Sequence, residues 1–290
     1  MIKVSAPGKI HLLGEHTVVY GKPALLTTID LRVTVHLRGA KAHLGGVSNL
    51  TKIIEPIVKK ELKISKASRF ALKKIPPYEL TITSDIPIGA GLGSSAAVSA
   101  AYIGALLVFL KVKWDLNLIN KLTFEAEKVF HGNPSGADNK TVIFGGITVP
   151  NKLAKNFVLI NTGKPKESTK EMIELAKPRI EKILNDQERL VKELLPVIQD
   201  GDEKKFIEII RAGEKNLEKI GVVSPYAAGI IRKIEKAGGA AKICGAGGQT
   251  RATGILLTYH KDKKVLEKIA KAENLPYFST SLGVEGVKLH

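Results

Sequence analysis

The sequence predicts an α+β fold, and three features of the chain point to it. Segments in which polar and apolar residues alternate, as they do in strands, occur in the first half and again near the C-terminus. Between Glu167 and Lys236, apolar residues recur instead at helical spacing. Strands and helices thus form separate runs without regular βαβ alternation, which favours α+β over a parallel α/β sheet.

The composition is that of an ordinary folded protein. With 290 residues, 44% of them hydrophobic, the chain is long enough to bury one or two cores. A two-lobed enzyme and one large domain both fit this length. Turn-like residues around 150–165 favour a boundary there, so we divide the chain into lobes at 1–160 and 161–290.

The first half alternates strand and helix patterns around glycine-rich turns. Gly and Pro punctuate the first forty residues, and the strand pattern becomes clear only from Ala24 onward. After the segment Gly89–Gly93, a run of small and apolar residues suits a buried helix, because Ala and Leu are strong helix formers. The elements predicted up to residue 160 are strands at Ala24–Leu37, Tyr78–Ser84, Thr141–Val149 and Phe157–Ile160, and helices at Val47–Leu62, Ser94–Leu110 and Leu116–Phe130.

The second half is predicted to be helical up to about Lys236 and then to alternate again. Proline and glycine punctuate the helical stretch, because neither residue is well tolerated inside a helix. The predictions for this half are helix breaks at Pro178, Pro196, Gly201 and Pro225, strands at Ala241–Cys244 and Ala252–Tyr259, a loop at Gly245–Gly248, a helix at Lys261–Ala272 and two short strands after it.

Charge and cysteine content limit the partners and the location of the protein. A formal net charge of +17 attracts anions, so nucleic acid, an anionic membrane surface and a phosphorylated metabolite are all candidate partners. The single cysteine, Cys244, excludes a disulfide within the chain and argues against a cysteine-based zinc site. With no signal-like segment and no apolar run of membrane length, we expect a cytoplasmic protein.

The segment from Pro87 to Ala97, PIGAGLGSSAA, predicts a phosphate site. Its three alternate glycines allow the backbone to approach a ligand closely, and Ser94 and Ser95 follow at the entry to a helix. A helix start offers unpaired N–H groups and a positive dipole end, which suit phosphate. The pattern is neither a P-loop, since no Lys follows the last glycine, nor the dinucleotide fingerprint.

Polar residues also stand among apolar residues and glycines in the segment from Ser5 to Gly21. Buried charges are costly unless they are paired or functional, so Lys9, Glu15 and His16 are candidate site residues. Glu15 and His16 suit substrate hydroxyl and carboxylate groups, whereas His11 fits a structural role better. The spacing of His11 and His16 also suggests a metal pair, but the sequence offers no third ligand of suitable spacing.

Two carboxylates flank the turn-rich segment between Glu127 and Asp138. One could hold Mg²⁺ while the other orients or deprotonates a hydroxyl group. The alternative, in which Asp138 caps a helix and Glu127 is a solvated helix residue, fits the spacing equally well. Further along, the glycine loop from Lys242 to Arg251 is either a second place of close backbone approach or a hairpin turn with a surface arginine.

Taken together, the strings APGKIHLLGEHTVVYGKPAL, PIGAGLGSSAA and HGNPSGADN resemble the motifs of the GHMP kinase superfamily, closest to its mevalonate kinase branch. They occur in the order found in that superfamily, and together with the late glycine loop they span nearly the whole chain. The resemblance implies a two-lobed α+β fold whose N-terminal lobe is like one domain of ribosomal protein S5. It also implies an active site between the lobes.

The resemblance assigns roles residue by residue. Asp138 matches the catalytic aspartate and Lys9 the lysine that interacts with it. Ser95 and Glu127 match the Mg²⁺-binding pair. The residues implied to bind the ATP phosphates are Pro87, Gly89, Ala90, Gly91, Leu92, Gly93, Ser94 and Ser95, and those implied to approach the substrate are Glu15, His16 and Gly247.

The implied reaction is ATP-dependent, Mg²⁺-assisted phosphorylation of the 5-hydroxyl of mevalonate in isoprenoid precursor synthesis. We expect no nucleic acid and no membrane among the partners. The sequence is compatible with a homodimer. The alternatives are a related kinase that acts on phosphomevalonate or another mevalonate hydroxyl, and a basic nucleic-acid-binding protein. The chain departs from the superfamily's third motif, GAGGGG, because Gln249, Thr250 and Arg251 follow GAGG.

Overall fold

The computed structural model describes residues 1–41, 49–64, 75–87, 89–132 and 134–290. Within these ranges the strands form two antiparallel sheets of four strands each. The strands are β1 (Ile2–Leu13), β2 (Leu25–Gly39), β3 (Tyr78–Ser84), β4 (Phe157–Asn161), β5 (Ala240–Ile243), β6 (Ile255–Tyr259), β7 (Tyr277–Thr280) and β8 (Lys288–Leu289).

Helices separate these strands along the chain. Short 3₁₀ helices cover Thr17–Tyr20 and Lys177–Lys182. The α-helices are α1 (Asn49–Ile64), α2 (Ser94–Phe109), α3 (Leu116–His131), α4 (Ala137–Phe144), α5 (Asn151–Ala154), α6 (Thr169–Ala176), α7 (Leu184–Asp200), α8 (Glu203–Lys219), α9 (Pro225–Lys236) and α10 (Lys263–Ala272).

The first sheet has the order β3-β2-β1-β8 and carries both ends of the chain. Strands β1 and β2 pair from Ile2 opposite Leu37 to Leu13 opposite Leu25, with a register shift between Pro7 and Gly8. The C-terminal strand returns to pair with β1, placing Leu289 opposite Val4. Strand β1 is therefore paired on both sides at Val4 and Ser5, whereas from Gly8 to Leu13 it pairs with β2 alone.

Helix α2 packs against β1 and β2 and forms the centre of the larger core. It is apolar on all sides, as expected for a fully buried helix, and most of its residues are Ala, Leu, Ile or Val. Small side chains allow close approach to the sheet: Gly104 faces Trp114 and Val4 at contact distance. This packing fixes the helix start at Ser94, where the predicted phosphate loop ends.

The second sheet has the order β5-β6-β4-β7, and helices α9 and α10 pack on it. Helix α8 also packs on β5. Strand β5, which the glycine loop follows, is therefore held by β6 and by helices α8 and α9. Within the described ranges, no helix is both long and apolar enough to cross a membrane. The lobe boundary at residue 160 stays a prediction.

Most predicted elements are confirmed within a few residues, but two predictions are wrong and one strand was missed. Thr141–Val149 is not a strand, because helix α4 runs to Phe144 and no regular element follows up to residue 150. Pro196 does not break a helix: it lies inside α7 towards its C-terminal end, where Leu194 and Val197 are buried. Strand β1 was not predicted at all, since its Gly and Pro residues hide the alternation. Two residues of the predicted helix Val47–Leu62, 47 and 48, lie outside the described residues.

Candidate active site

Lys9 and Asp138 meet at the junction of β1 and α4. The Lys9 Nζ lies 3.0 Å from Asp138 Oδ2. The lysine side chain is 4% exposed and that of the aspartate 38%, so the carboxylate faces outward from a buried cation. Asp138 sits in the first turn of α4, where the helix dipole favours a negative charge. The pair predicted as catalytic is therefore brought into direct contact.

The glycine–serine loop holds Lys9 from the other side. The backbone N–H of Lys9 donates to the carbonyl of Leu92 over 2.9 Å. A Cβ atom at Gly93 would lie 2.6 Å from Lys9 Cγ, so the lysine stem passes directly over this glycine. The loop thus sets both the backbone and the side-chain path of Lys9.

The loop itself has the conformation that its glycines permit. Gly89, Gly91 and Gly93 all have positive φ angles, 72°, 80° and 70°. Gly93 caps α2 without a side chain, so the first N–H groups of the helix stay available to an anion. The remaining residues predicted for this site serve the turn in different ways: Pro87 precedes it, Ala90 and Leu92 are buried, and Ser94 begins the helix.

Ser95 and Glu127 also meet as predicted for a metal pair. The Ser95 hydroxyl donates to Glu127 Oε2 over 3.2 Å. The other oxygen, Oε1, is buried and has no hydrogen-bond partner in the described part of the chain. Burial raises the pKa of Glu127, while His131 and Ser95 act in the opposite direction. His131, which the sequence reasoning missed, lies 3.0 Å from Ser95 Oγ through its Nε2 and stands one helical turn after Glu127.

The late glycine loop packs against the first one. A Cβ at Gly91 would lie 3.2 Å from the carbonyl oxygen of Cys244. His16 Nε2 lies 3.0 Å from the carbonyl oxygen of Ala246, and burial lowers the pKa of that histidine. Gly247 has a φ of 80°, and a Cβ there would lie 2.0 Å from the carbonyl oxygen of Val222. Packing therefore requires a glycine at position 247. Because glycine has no side chain, the predicted contact with substrate would have to come from its backbone.

The three residues that depart from the superfamily motif lie on the surface and contact neighbouring elements. Thr250 donates to Glu167 through its backbone N–H, over 3.1 Å, and through its hydroxyl. The Arg251 guanidinium lies 4.9 Å above the Tyr226 ring. Gln249 donates to the carbonyl of Gly221 over 3.4 Å. These side chains therefore contact neighbouring elements and do not occupy the space of the glycine turn.

A buried ionic cluster behind the site was not predicted. The ammonium of Lys242, on β5, forms an ion pair with Glu15, and both side chains are almost fully buried. Burial alone would lower the pKa of Lys242, but the charge of Glu15 raises it. Glu214, on α8, accepts from the backbone N–H of Ile243 over 3.0 Å, and burial raises its pKa well above the ordinary value. A lysine within the apolar strand AAKI was the available signal.

Glu15, predicted to approach the substrate, belongs to this buried cluster. One of its carboxylate oxygens pairs with Lys242, and the other is buried without a hydrogen-bond partner among the described residues. Its role toward substrate stays a prediction. His11 and His16 do not share a metal site with a third ligand: the described residues contain no group of three His, Cys, Asp or Glu side chains that could hold a metal ion.

Comparison with known proteins agrees with this geometry. Residues 56–146 match the family model for the GHMP kinases N terminal domain, a range that includes the glycine–serine loop and Asp138. The mevalonate kinase of Archaeoglobus fulgidus is 36% identical over 261 residues, covering 84% of this chain and 88% of that protein.

Two solved structures share the fold at lower identity. The Methanococcus jannaschii mevalonate kinase is 21% identical with a TM-score of 0.80, covering 97% of this chain and 98% of that one. The L. major mevalonate kinase in complex with R-mevalonate is 18% identical with a TM-score of 0.79, covering 98% of this chain and 96% of that one. The sequence match and the site geometry lead to one conclusion: the chain belongs to the mevalonate kinase family of GHMP kinases.

Proposed function

We propose that the chain transfers a phosphoryl group from ATP to the 5-hydroxyl of mevalonate. Membership of a kinase family implies the use of ATP. The observation that carries the proposal is the contact of a buried Lys9 with a half-exposed Asp138 beside a glycine–serine loop. A relative that is 36% identical is a mevalonate kinase, and a structural neighbour is a complex with R-mevalonate.

On the acceptor side, Asp138 would take the proton of the attacking hydroxyl. An alcohol is weakly acidic at neutral pH, so a positioned carboxylate must accept its proton as the phosphoryl group arrives. The carboxylate is exposed enough to reach a ligand, while Lys9 behind it supplies a buried positive charge. That charge stabilises the negative charge that develops on the transferring group.

On the donor side, the loop from Gly89 to Ser95 would bind the ATP phosphates. Its glycines bring backbone N–H groups close to the ligand, and the start of α2 adds a positive dipole end. Helix α2 has no acidic residue in its first turn to repel an anion.

Ser95 and Glu127 would hold Mg²⁺ at the end of this loop. The fit rests on Glu127 Oε1, a buried carboxylate oxygen without a hydrogen-bond partner among the described residues, next to a serine hydroxyl. Mg²⁺ is often bound by one or two carboxylates together with substrate phosphates, so two protein ligands suffice. When bound, Mg²⁺ supplies charge neutralisation to the phosphates.

Glu15, His16 and Gly247 would shape the substrate side of the pocket. His16 joins the end of β1 to the late glycine loop through Ala246, so its ring fixes the distance between the two segments. The proposal includes a cytoplasmic setting, because Cys244 is a free, buried thiol that suits a reducing compartment.

A coupled ADP-release assay with ATP and Mg²⁺ tests the proposal. Mevalonate, 5-phosphomevalonate, homoserine and galactose are offered in parallel. We expect turnover on mevalonate alone. Turnover on another member of the panel would mean that the protein transfers a phosphoryl group to a different substrate. No turnover on any of the four would contradict the proposed activity.

A further inference from the structure

His11 stands beside Lys9 on β1, and the reaction described above gives it no role. The two residues are separated by one position, so their side chains leave the strand on the same face. His11 Nδ1 lies 3.3 Å from Lys9 Nζ. The histidine ring is half-buried and therefore sits at the edge of the site, with the lysine amine enclosed behind it.

The surroundings of His11 keep its ring neutral. Burial, followed by the positive charges of Lys9 and Lys242 and a contribution from His16, lowers the pKa of His11 well below its usual range. The carboxylates of Asp138 and Glu15 are each paired with one of the two lysines. A neutral imidazole can accept a hydrogen bond at one nitrogen while carrying its proton on the other.

The direction of the hydrogen bond follows from the two groups. A lysine ammonium has three N–H donors and no acceptor, so Lys9 must donate and Nδ1 of His11 must accept. The proton of the imidazole then lies on Nε2. A second of the three lysine donors points to Asp138 at 3.0 Å.

We propose that His11 is a positioning residue that aims the Lys9 ammonium at Asp138. A lysine side chain has four flexible carbons, and its amine rotates freely unless its donors are engaged. Gly93 guides the stem from below, while Asp138 and His11 fix the amine from two sides. This inference rests on the proposed phosphoryl-transfer function.

The backbone of His11 is itself held from behind. Lys242 Nζ donates to the His11 carbonyl over 3.3 Å, in addition to its ion pair with Glu15. The buried cluster therefore reaches Lys9 through one residue.

Two substitutions at His11 and one control test this role. His11→Leu keeps an apolar side chain of similar size but removes the acceptor. His11→Asn places its Oδ1 where Nδ1 of the histidine lies and restores an acceptor. The control is His36→Leu: His36 is another half-buried histidine, on β2, opposite Lys3 at the far end of the strand pair.

We expect His11→Leu to lower kcat about 10- to 100-fold, as misplacement of a catalytic group by about 1 Å does, with little change in the KM for ATP. His11→Asn should recover most of this loss, and His36→Leu should show no loss. Wild-type kcat in His11→Leu, or an asparagine variant that folds but is no better than the leucine variant, overturns the proposal.

A second readout does not depend on turnover. In protein labelled with ¹³C and ¹⁵N in lysine, the Lys9 amine signal is assigned by its disappearance in Lys9→Met. We expect this signal to shift in His11→Leu and to stay near the wild-type position in His11→Asn. If the wild-type enzyme is inactive on mevalonate, the proposed function fails while this NMR comparison still decides the role of His11; an unchanged Lys9 signal in His11→Leu overturns that role.

Discussion

At the scale of single residues, the contacts of the site converge on Lys9. Its amine contacts Asp138 and His11, its stem lies on Gly93, and its backbone N–H donates to Leu92. A buried ammonium is tolerated only when its donors are satisfied and a negative charge is near. The arrangement places a carboxylate against the ammonium and engages two of its three donors, while leaving the partner carboxylate accessible.

The first prediction concerns Asp138. Asp138→Asn keeps the shape of the side chain but removes its ability to accept a proton, so kcat should fall by about 10²–10⁴-fold. The fold should persist, because the side chain is 38% exposed. Steady-state ADP release and far-UV circular dichroism measure the two effects. Asp200→Asn, at the exposed end of α7, is the matched control and should retain wild-type kcat.

The second prediction concerns Cys244, which is 3% exposed beside the late glycine loop. Burial raises the pKa of its thiol to about 12, so almost no thiolate forms at pH 8. A disulfide reagent such as DTNB should therefore react with the native protein far more slowly than with protein unfolded in guanidinium. Because the chain has one cysteine, the absorbance change reports this thiol alone. Equal rates in the two states would contradict the burial of Cys244.

Sequence reasoning reached the residues of the site unevenly. The resemblance to GHMP kinases placed Lys9 against Asp138 and Ser95 against Glu127, and both contacts exist in the structure. The roles of these residues stay proposals. Spacing alone could not pair Glu15 with Lys242, because the two residues are 227 positions apart in the sequence and only the fold brings β5 next to the residues that follow β1.

At the scale of elements, the start of α2 governs the site. The loop before it needs three positive φ angles, and most residues of α2 from Ala96 onward are buried. Loop and helix together therefore present a rigid set of backbone N–H groups. The contact between Gly93 and the Lys9 side chain links this loop to β1.

The third prediction tests that contact. Gly93→Ala imposes a positive φ on a residue with a Cβ, at a cost of about 1–2 kcal/mol, and its methyl group also collides with the Lys9 stem. Gly21→Ala, with a φ of 77° and no atom within 4 Å of the added Cβ, carries the first cost alone.

We expect both alanine variants to lose stability in urea unfolding, Gly93→Ala the more because of the collision, whereas only Gly93→Ala should lose kcat, by about 10²-fold, because Lys9 is displaced. Loss of kcat to the same degree in Gly21→Ala would show that backbone strain, and not the contact with Lys9, is responsible.

The predicted elements also show where sequence patterns fail. Thr141, Val142 and Ile143 read as a strand because they are β-branched, yet they lie in α4, where Gly136 provides the cap with a φ of 79°. Burial of Val142 and Ile143 in the larger core outweighs their weak helix propensity. In contrast, α2 and α3 were predicted almost to the residue, since both are long and α3 begins at the capping residue Asp115.

At the scale of the whole molecule, a buried ionic cluster joins the two sheets. Glu15 follows the first strand of one sheet, Lys242 lies in the other sheet, and Glu214 comes from the helix that packs on it. The candidate site residues are drawn from both sides of this junction, because the late glycine loop follows β5 and the Lys9–Asp138 pair stands on β1 and α4.

The fourth prediction concerns the pH dependence of stability. The pKa of Glu214 is raised in the folded protein, so the neutral form is favoured there. Its contribution to stability is complete below the ordinary glutamate pKa and is lost as pH rises through the raised value. The free energy of unfolding of the wild type should therefore fall, relative to that of Glu214→Gln, as pH increases above about 4.5.

Urea unfolding at several pH values between 4.5 and 9 measures this difference. Glu208→Gln is the control, because Glu208 is exposed on the same helix and should show no such divergence. A wild type that gains stability over Glu214→Gln with rising pH would contradict burial as the dominant effect.

The position of the transferred phosphate tests the central claim most directly. The product formed from ATP and mevalonate is analysed by ³¹P and ¹H NMR. We predict that the new phosphorus signal couples to the methylene protons at carbon 5, with one ADP formed for each phosphate transferred. Phosphate on the 3-hydroxyl, or ADP formed without a phosphorylated mevalonate, would contradict the proposed function.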